Sequence, residues 1–151
     1  FGNQTKWSDF NLVIPLLFNF YHGLELLLKG FICAKNIQIE QSHKLSKLLL
    51  DFKDNFQNCE LTLYFEKYIE QNKLPNVLSE FCSTSGISID DYYQALKYPE
   101  GTSGSHFQHY PLQYRGQRGS QFFKNLGDDI EKILKESLTL GREIYPNCPN
   151  V

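Results

Sequence analysis

Apolar residues recur at helical intervals along almost the whole chain, and few segments show the strict alternation of a half-buried strand. The clearest run lies near the end. Phe123, Leu126, Ile130, Ile133, Leu134 and Leu138 advance by threes and fours, with Asp128, Asp129, Glu131, Lys132 and Lys135 largely opposite. This predicts an amphipathic helix packed on one side over about 120–144, closed by Pro146. Upstream, Ser8 and Asp9 are good N-cap types and predict a first helix running from there to about Lys35. Pro15 should either kink that helix or mark the start of its main portion. A second helix is expected to be capped by Ser42 and to run from His43 through Leu50. A third covers roughly 61–71, and a further turn or two of helix lies between Asn76 and Cys82. A fourth main helix begins at the Ser88 cap and stops before Pro99. No internal repeat or second domain is visible. The expected fold is all-α, an antiparallel bundle of four to five helices in a single domain over 1–151, with its core at about 9–144.

Size and composition narrow the chemistry. A chain of 151 residues buries about 68–70% of its unfolded surface, so the core requires neither disulfides nor a structural metal. Twelve Phe and nine Tyr exceed what solvated, disordered chains carry. Fifteen basic against seventeen acidic residues leave a net charge of −2, so any attraction for nucleic acid or an anionic membrane must be local. Cys33, Cys59, Cys82 and Cys148 are widely spaced, form no CxxC, and read as reduced thiols of a cytoplasmic protein. The charge-free run from Phe10 to Leu24 falls short of the ~20 apolar residues of a membrane span, and no basic segment precedes it, so no membrane partner is expected. The chain contains no Met, and Phe1 is not expected to be a translation start.

One local departure stands out. The segment 99–119 is too long for an ordinary connection, since loops past 12–15 residues are usually functional or disordered. It contains Gly101, Gly104, Gly116 and Gly119 and the aromatics Phe107, Tyr110 and Tyr114, with Tyr98 at its edge. No Asp or Glu occurs from Gly101 through Gly127, whereas His106, His109, Arg115, Arg118 and Lys124 all do.

Three groups of residues are candidates for chemistry. Arg115 and Arg118, on a glycine-flexible stretch beside Tyr110 and Tyr114, could hold phosphates while the rings stack bases. The plainer alternative pairs the arginines with helix carboxylates. His43 and Lys44, at an expected helix start, could receive an anion, or could simply pack and be solvated there. On the first helix Asn19, His22, Glu25 and Lys29 fall within about 120° of arc, with leucines and phenylalanines around most of the rest. They form either a polar site facing a groove, or an ordinary i,i+4 pair of Glu25 with Lys29 and a satisfied histidine. His106 and His109 have no carboxylate partner for zinc, no GxSxG elbow exists, and no cysteine sits in a basic helix start. Neither a metal nor another cofactor is expected.

The first half of the chain resembles the HEPN superfamily of small helical domains. The resemblance rests on Tyr21-His22-Gly23-Leu24-Glu25-Leu26-Leu27-Leu28-Lys29-Gly30, followed by His43-Lys44-Leu45-Ser46-Lys47-Leu48-Leu49. HEPN sequences typically carry a glutamate with a leucine-lysine-small pattern, then a histidine-x-leucine helix start. Glu25, Leu28-Lys29-Gly30 and His43-Lys44-Leu45 match this layout, and Leu96-Lys97-Tyr98-Pro99 is similar to a later tyrosine-proline segment. The resemblance implies a bundle of four or five helices that dimerises through its first helices. It also implies RNA- or nucleotide-related work in toxin–antitoxin or phage-defence systems, or beside a minimal nucleotidyltransferase. Ribonuclease members carry an arginine followed four to six residues later by a histidine. Arg115, Arg118 and Arg142 have no histidine at that spacing, and His106 and His109 lie upstream of Arg115. The resemblance therefore points to a non-nuclease branch.

The leading expectation is a homodimer that binds RNA or a nucleotide through Arg115 and Arg118, with His22, Glu25, Lys29, His43 and Lys44 contributing from a groove. One rival is a protein-interaction module that docks a nucleotidyltransferase or another effector. A second is a metal-independent ribonuclease whose His109 meets Arg115 or Arg118 in a rearranged site.

Overall fold

Leu17, Tyr21, Leu24, Leu28 and Ile32 repeat along one side of the first helix, and all are buried. That spacing keeps one stripe facing inward along several turns, so this helix organises the interior. The computed structural model describes residues 4–38, 44–97, 110–112 and 116–147, with side chains of the first helix described from Leu12 onward. Among them are α1 (Gln4–Ala34), α2 (Leu45–Asn55), α3 (Glu60–Ile69), α4 (Asn76–Ser85), α5 (Ile89–Lys97), a single 3-10 turn (Tyr110–Leu112) and α6 (Gly116–Ile144). No strand occurs among the described residues, and the fold is an all-α helical bundle.

α1 packs on α2, α5 and α6. α3 bridges α2 and α6, and α4 takes the 3-10 turn on one side and α6 on the other. The core is strongly aromatic. Phe52 meets Phe65 edge-on, Phe20 meets Tyr68, and Phe81 meets Tyr92, with ring centroids 5.1, 4.9 and 4.6 Å apart. The buried Tyr21 hydroxyl donates to the main-chain carbonyl of Tyr68 at 3.0 Å, fixing α1 against the end of α3.

Several boundaries differ from expectation for identifiable reasons. α1 starts at Gln4 and runs through Pro15, which removes only the bond to the Asn11 carbonyl and does not end the helix. α2 begins at Leu45, with Lys44 rather than Ser42 at the cap position, its backbone extended and no side-chain cap bond made. The short turn expected at Asn76 is a full helix because Val77, Leu78, Phe81 and Cys82 form a complete buried face. α6 begins at Gly116, earlier than the expected Ser120: Gly116 opens it at φ 84°, which glycine adopts freely, and buried Gly119 and Phe122 extend the inward stripe, so that packing overrides the weak helix propensity of Gly119. Leu134 and Leu138, expected on the packed side, are exposed, and the inward stripe is Phe122, Leu126, Asp129 and Ile133. Ser88 caps α5 as expected: its Oγ accepts from the Asp91 N–H at 3.1 Å.

By length and composition the 23 residues Leu12–Ala34 could cross a membrane, a longer stretch than the charge-free count anticipates. They include Glu25 and Lys29, and the buried stripe of this stretch belongs to the same core as the other helices.

Candidate functional site

Of the polar residues on α1, the structure unites His22, Glu25 and Lys29 and adds two from α5. Glu25 is 2% exposed. Its carboxylate accepts from Lys29 Nζ at 2.6 Å and from Lys97 Nζ at 3.0 Å, and it also accepts the Tyr93 hydroxyl. His22 Nδ1 lies 3.1 Å from the same hydroxyl, its ring stacked on Phe18. This is more than an ordinary surface pair. A buried carboxylate needs several donors to offset its lost hydration, and two lysines and a phenol supply them. Lys97 and Tyr93 could not be found from spacing, because they lie 72 and 68 residues from Glu25. The cluster locks α1 to α5.

Arg118 lies in the first turn of α6, not in a loop, and donates to Glu80 of α4 at 2.9 Å. This is the pairing with a helix carboxylate that the sequence left open. Arg118 also stands on the rim of a cleft of about 380 Å³ between α4, the end of α3 and the start of α6. Lys67 reaches the cleft from α3, and Asn76, Gln117, Gln121 and Asn125 line it with amides over Pro75, Val77 and Phe122. Among the described residues no carboxylate lines the cleft itself. Beneath it, Asp129 receives Lys67 Nζ at 2.5 Å and the Tyr68 hydroxyl at 2.8 Å. Burial, and then that neighbouring carboxylate, push the Tyr68 phenol far above its ordinary range, so it stays a neutral donor. The cleft thus offers two cationic heads, four amides and an apolar floor, a set suited to an anion with an attached polar group.

A second cavity, of about 620 Å³, lies between the C-terminal ends of α1 and α6 and the α2–α3 turn. Glu60, Glu136 and Glu143 line it against Lys35, which makes it unfavourable for phosphate. Cys59 borders it, and burial raises that thiol above its ordinary pKa, as it does for Cys82, so neither is an activated nucleophile. Among the described residues no three His, Cys, Asp or Glu side chains converge as metal ligands.

The expected anion site at the start of α2 is occupied from within. Ser46 donates its N–H to Asp90 of α5 at 3.2 Å, and its hydroxyl bonds the same carboxylate. The dipole at the start of α2 therefore already faces a negative charge. Lys44 precedes that turn and is exposed, while His43 lies outside the described residues. His109, Tyr114 and Arg115 also lie outside them. Tyr110 opens the 3-10 turn, and its side chain is not among those described. Comparison with known protein families, with curated proteins and with solved structures finds no match for this chain.

Proposed function

We propose that this chain is an RNA- or nucleotide-binding helical domain whose binding surface is the cleft between α3, α4 and the start of α6. The observation that carries the reading is the cleft's lining: Lys67, Arg118 and four amides, with no carboxylate among the described lining residues, although Asp129 and Glu80 each pair one of the two cations from outside it. A cavity of this size matches a small ligand or a single nucleotide unit. The HEPN resemblance supports the same class of ligand, and the missing arginine-to-histidine spacing favours binding over cleavage.

The test is a gel shift with labelled single-stranded RNA at about 50 and about 200 mM salt, with a cleavage readout in chelator. The reading expects a salt-sensitive shift without cleavage. Arg118→Ala should weaken binding and lower the salt slope by less than 1, since a single strand contributes about 0.7 per charge and Arg118 is already paired with Glu80. No shift at low salt would replace this reading with the partner-docking one, and metal-independent cleavage would replace it with the ribonuclease.

We further propose that a second copy of the chain covers the outer face of α1. The exposed residues from Leu12 to Cys33 are Leu12, Pro15, Leu16, Asn19, Leu26, Gly30 and Cys33, none of them charged. An uncharged, leucine-bearing face of this length is costly to leave in water, and a two-fold-related copy would meet it with the same residues.

A further inference from the structure

The cleft carries more hydrogen-bonding capacity than phosphate alone can use. Phosphate oxygens only accept, and Arg118 and Lys67 serve them. Amides both donate and accept. Gln117, Gln121 and Asn125 recur four residues apart on α6, all lining the cleft, with Asn76 across from them at the start of α4. Gln121 Nε2 donates to Asn125 Oδ1 at 2.8 Å, so the two amides are held side by side. That bond leaves the Gln121 carbonyl oxygen and the Asn125 amino group as an adjacent acceptor and donor. Rotating both amides by 180° reverses the order and keeps the pair. The Watson–Crick edge of every nucleobase likewise sets a donor beside an acceptor, and that edge is accessible only in an unpaired strand. Phe122, Val77 and Pro75 give the ring an apolar surface to lie against.

We propose, resting on the nucleic-acid reading of this cleft, that the Gln121–Asn125 pair reads the edge of one unpaired base while Arg118 and Lys67 hold its phosphate. The ligand is then single-stranded RNA, and duplex RNA is a poor substitute because its base edges are already paired.

Fluorescence anisotropy on the full chain compares three RNAs of equal length: a single strand, the same sequence as duplex, and the single strand with abasic sites. The intact single strand should bind about tenfold more tightly than either of the others, the low end of what a bidentate amide–base contact discriminates. Gln121→Ala combined with Asn125→Ala should lower single-strand affinity to that of duplex and leave the salt slope, which uncharged side chains do not set, unchanged. Arg118→Ala should weaken all three RNAs alike. Equal binding of the three RNAs by the unaltered protein would overturn base reading and leave the nucleic-acid reading standing. Retention of the full preference in the double variant would overturn the assignment to this pair. Failure to bind any of the three would overturn both readings. Gln121 and Asn125 are exposed, and circular dichroism of the double variant confirms that a lost preference is not lost folding.

Discussion

The Tyr93 hydroxyl of α5 donates to the Glu25 carboxylate of α1, which Lys29 and Lys97 approach from either side. The two lysines and the phenol do different work. Tyr93→Phe removes one neutral donor from a carboxylate that keeps both ammonium partners, and should cost about 1–3 kcal/mol. Replacing Lys29 and Lys97 together by Met takes two ammonium partners from a buried carboxylate, and should cost about 3–5 kcal/mol. Urea unfolding of both variants measures the order. Equal losses would mean that the charge pairing contributes no more than the single phenol does.

A second cluster gives a pH signature. Lys53 of α2 and Lys73 bind opposite oxygens of Glu66, both at 2.5 Å, and Lys53 also reaches Glu70. The hydrogen bond from Lys53, followed by that from Lys73, holds Glu66 below its ordinary value of about 4.5. A carboxyl depressed on folding stabilises the protein above its unfolded pKa, and that stability is lost as pH falls through the lower folded value. Bonding to Glu66 raises both lysines, whose contribution is present below 10.5 and is lost as pH rises through their folded values. Glu66→Gln should therefore be destabilising at neutral pH and converge on the unaltered protein in acid. A gap that persists unchanged in acid would assign its effect to packing.

Gly86 ends α4 in the left-handed region at φ 64°, with the Ile87 N–H returning to the Cys82 carbonyl at 3.0 Å. A Cβ there meets nothing within 4 Å, so the cost of Gly86→Ala is backbone strain alone, about 1 kcal/mol. Gly86→Asn should cost less, since Asn tolerates this conformation. Thermal denaturation distinguishes the two.

The proposed pairing of α1 faces predicts a mass twice the 17.6 kDa of the chain by light scattering. Leu26→Glu should yield monomer, because it places two like charges at the interface of the pair. Leu26 is 57% exposed, so the helix itself should tolerate the change. A single-chain mass for the unaltered protein would remove the second copy.

Helix content was legible because the hydrophobic period is a local property, although Ser8 and Asp9, expected as caps, lie inside α1. The Ser88 cap of α5 could be read directly, and the Arg118 pairing was at least foreseeable as one of two options. What eluded the sequence was long-range or decided by packing. Nothing in spacing says that Glu25 meets Tyr93 and Lys97, or that Asp90 occupies the start of α2. Gly116 and Gly119 read as loop because their intrinsic preference is for loop; Gly116 keeps a left-handed backbone at the start of α6, yet burial draws Gly119 into the helix. Leu134 and Leu138 obey the helical period but are exposed, so period alone overstated the packed face. The cleft was hidden altogether, because its walls come from three helices brought together only by folding.

The Arg118–Glu80 bond also affects whatever enters that cleft. Glu80 is a tethered competitor: any anion reaching for Arg118 must displace, or share with, a carboxylate that cannot diffuse away. Exposed pairs of this kind are worth about 0–1 kcal/mol, so the penalty on affinity is at most about fivefold. Added salt loosens the internal pair along with the ligand, so part of the screening cancels and the measured salt slope understates the charge engaged.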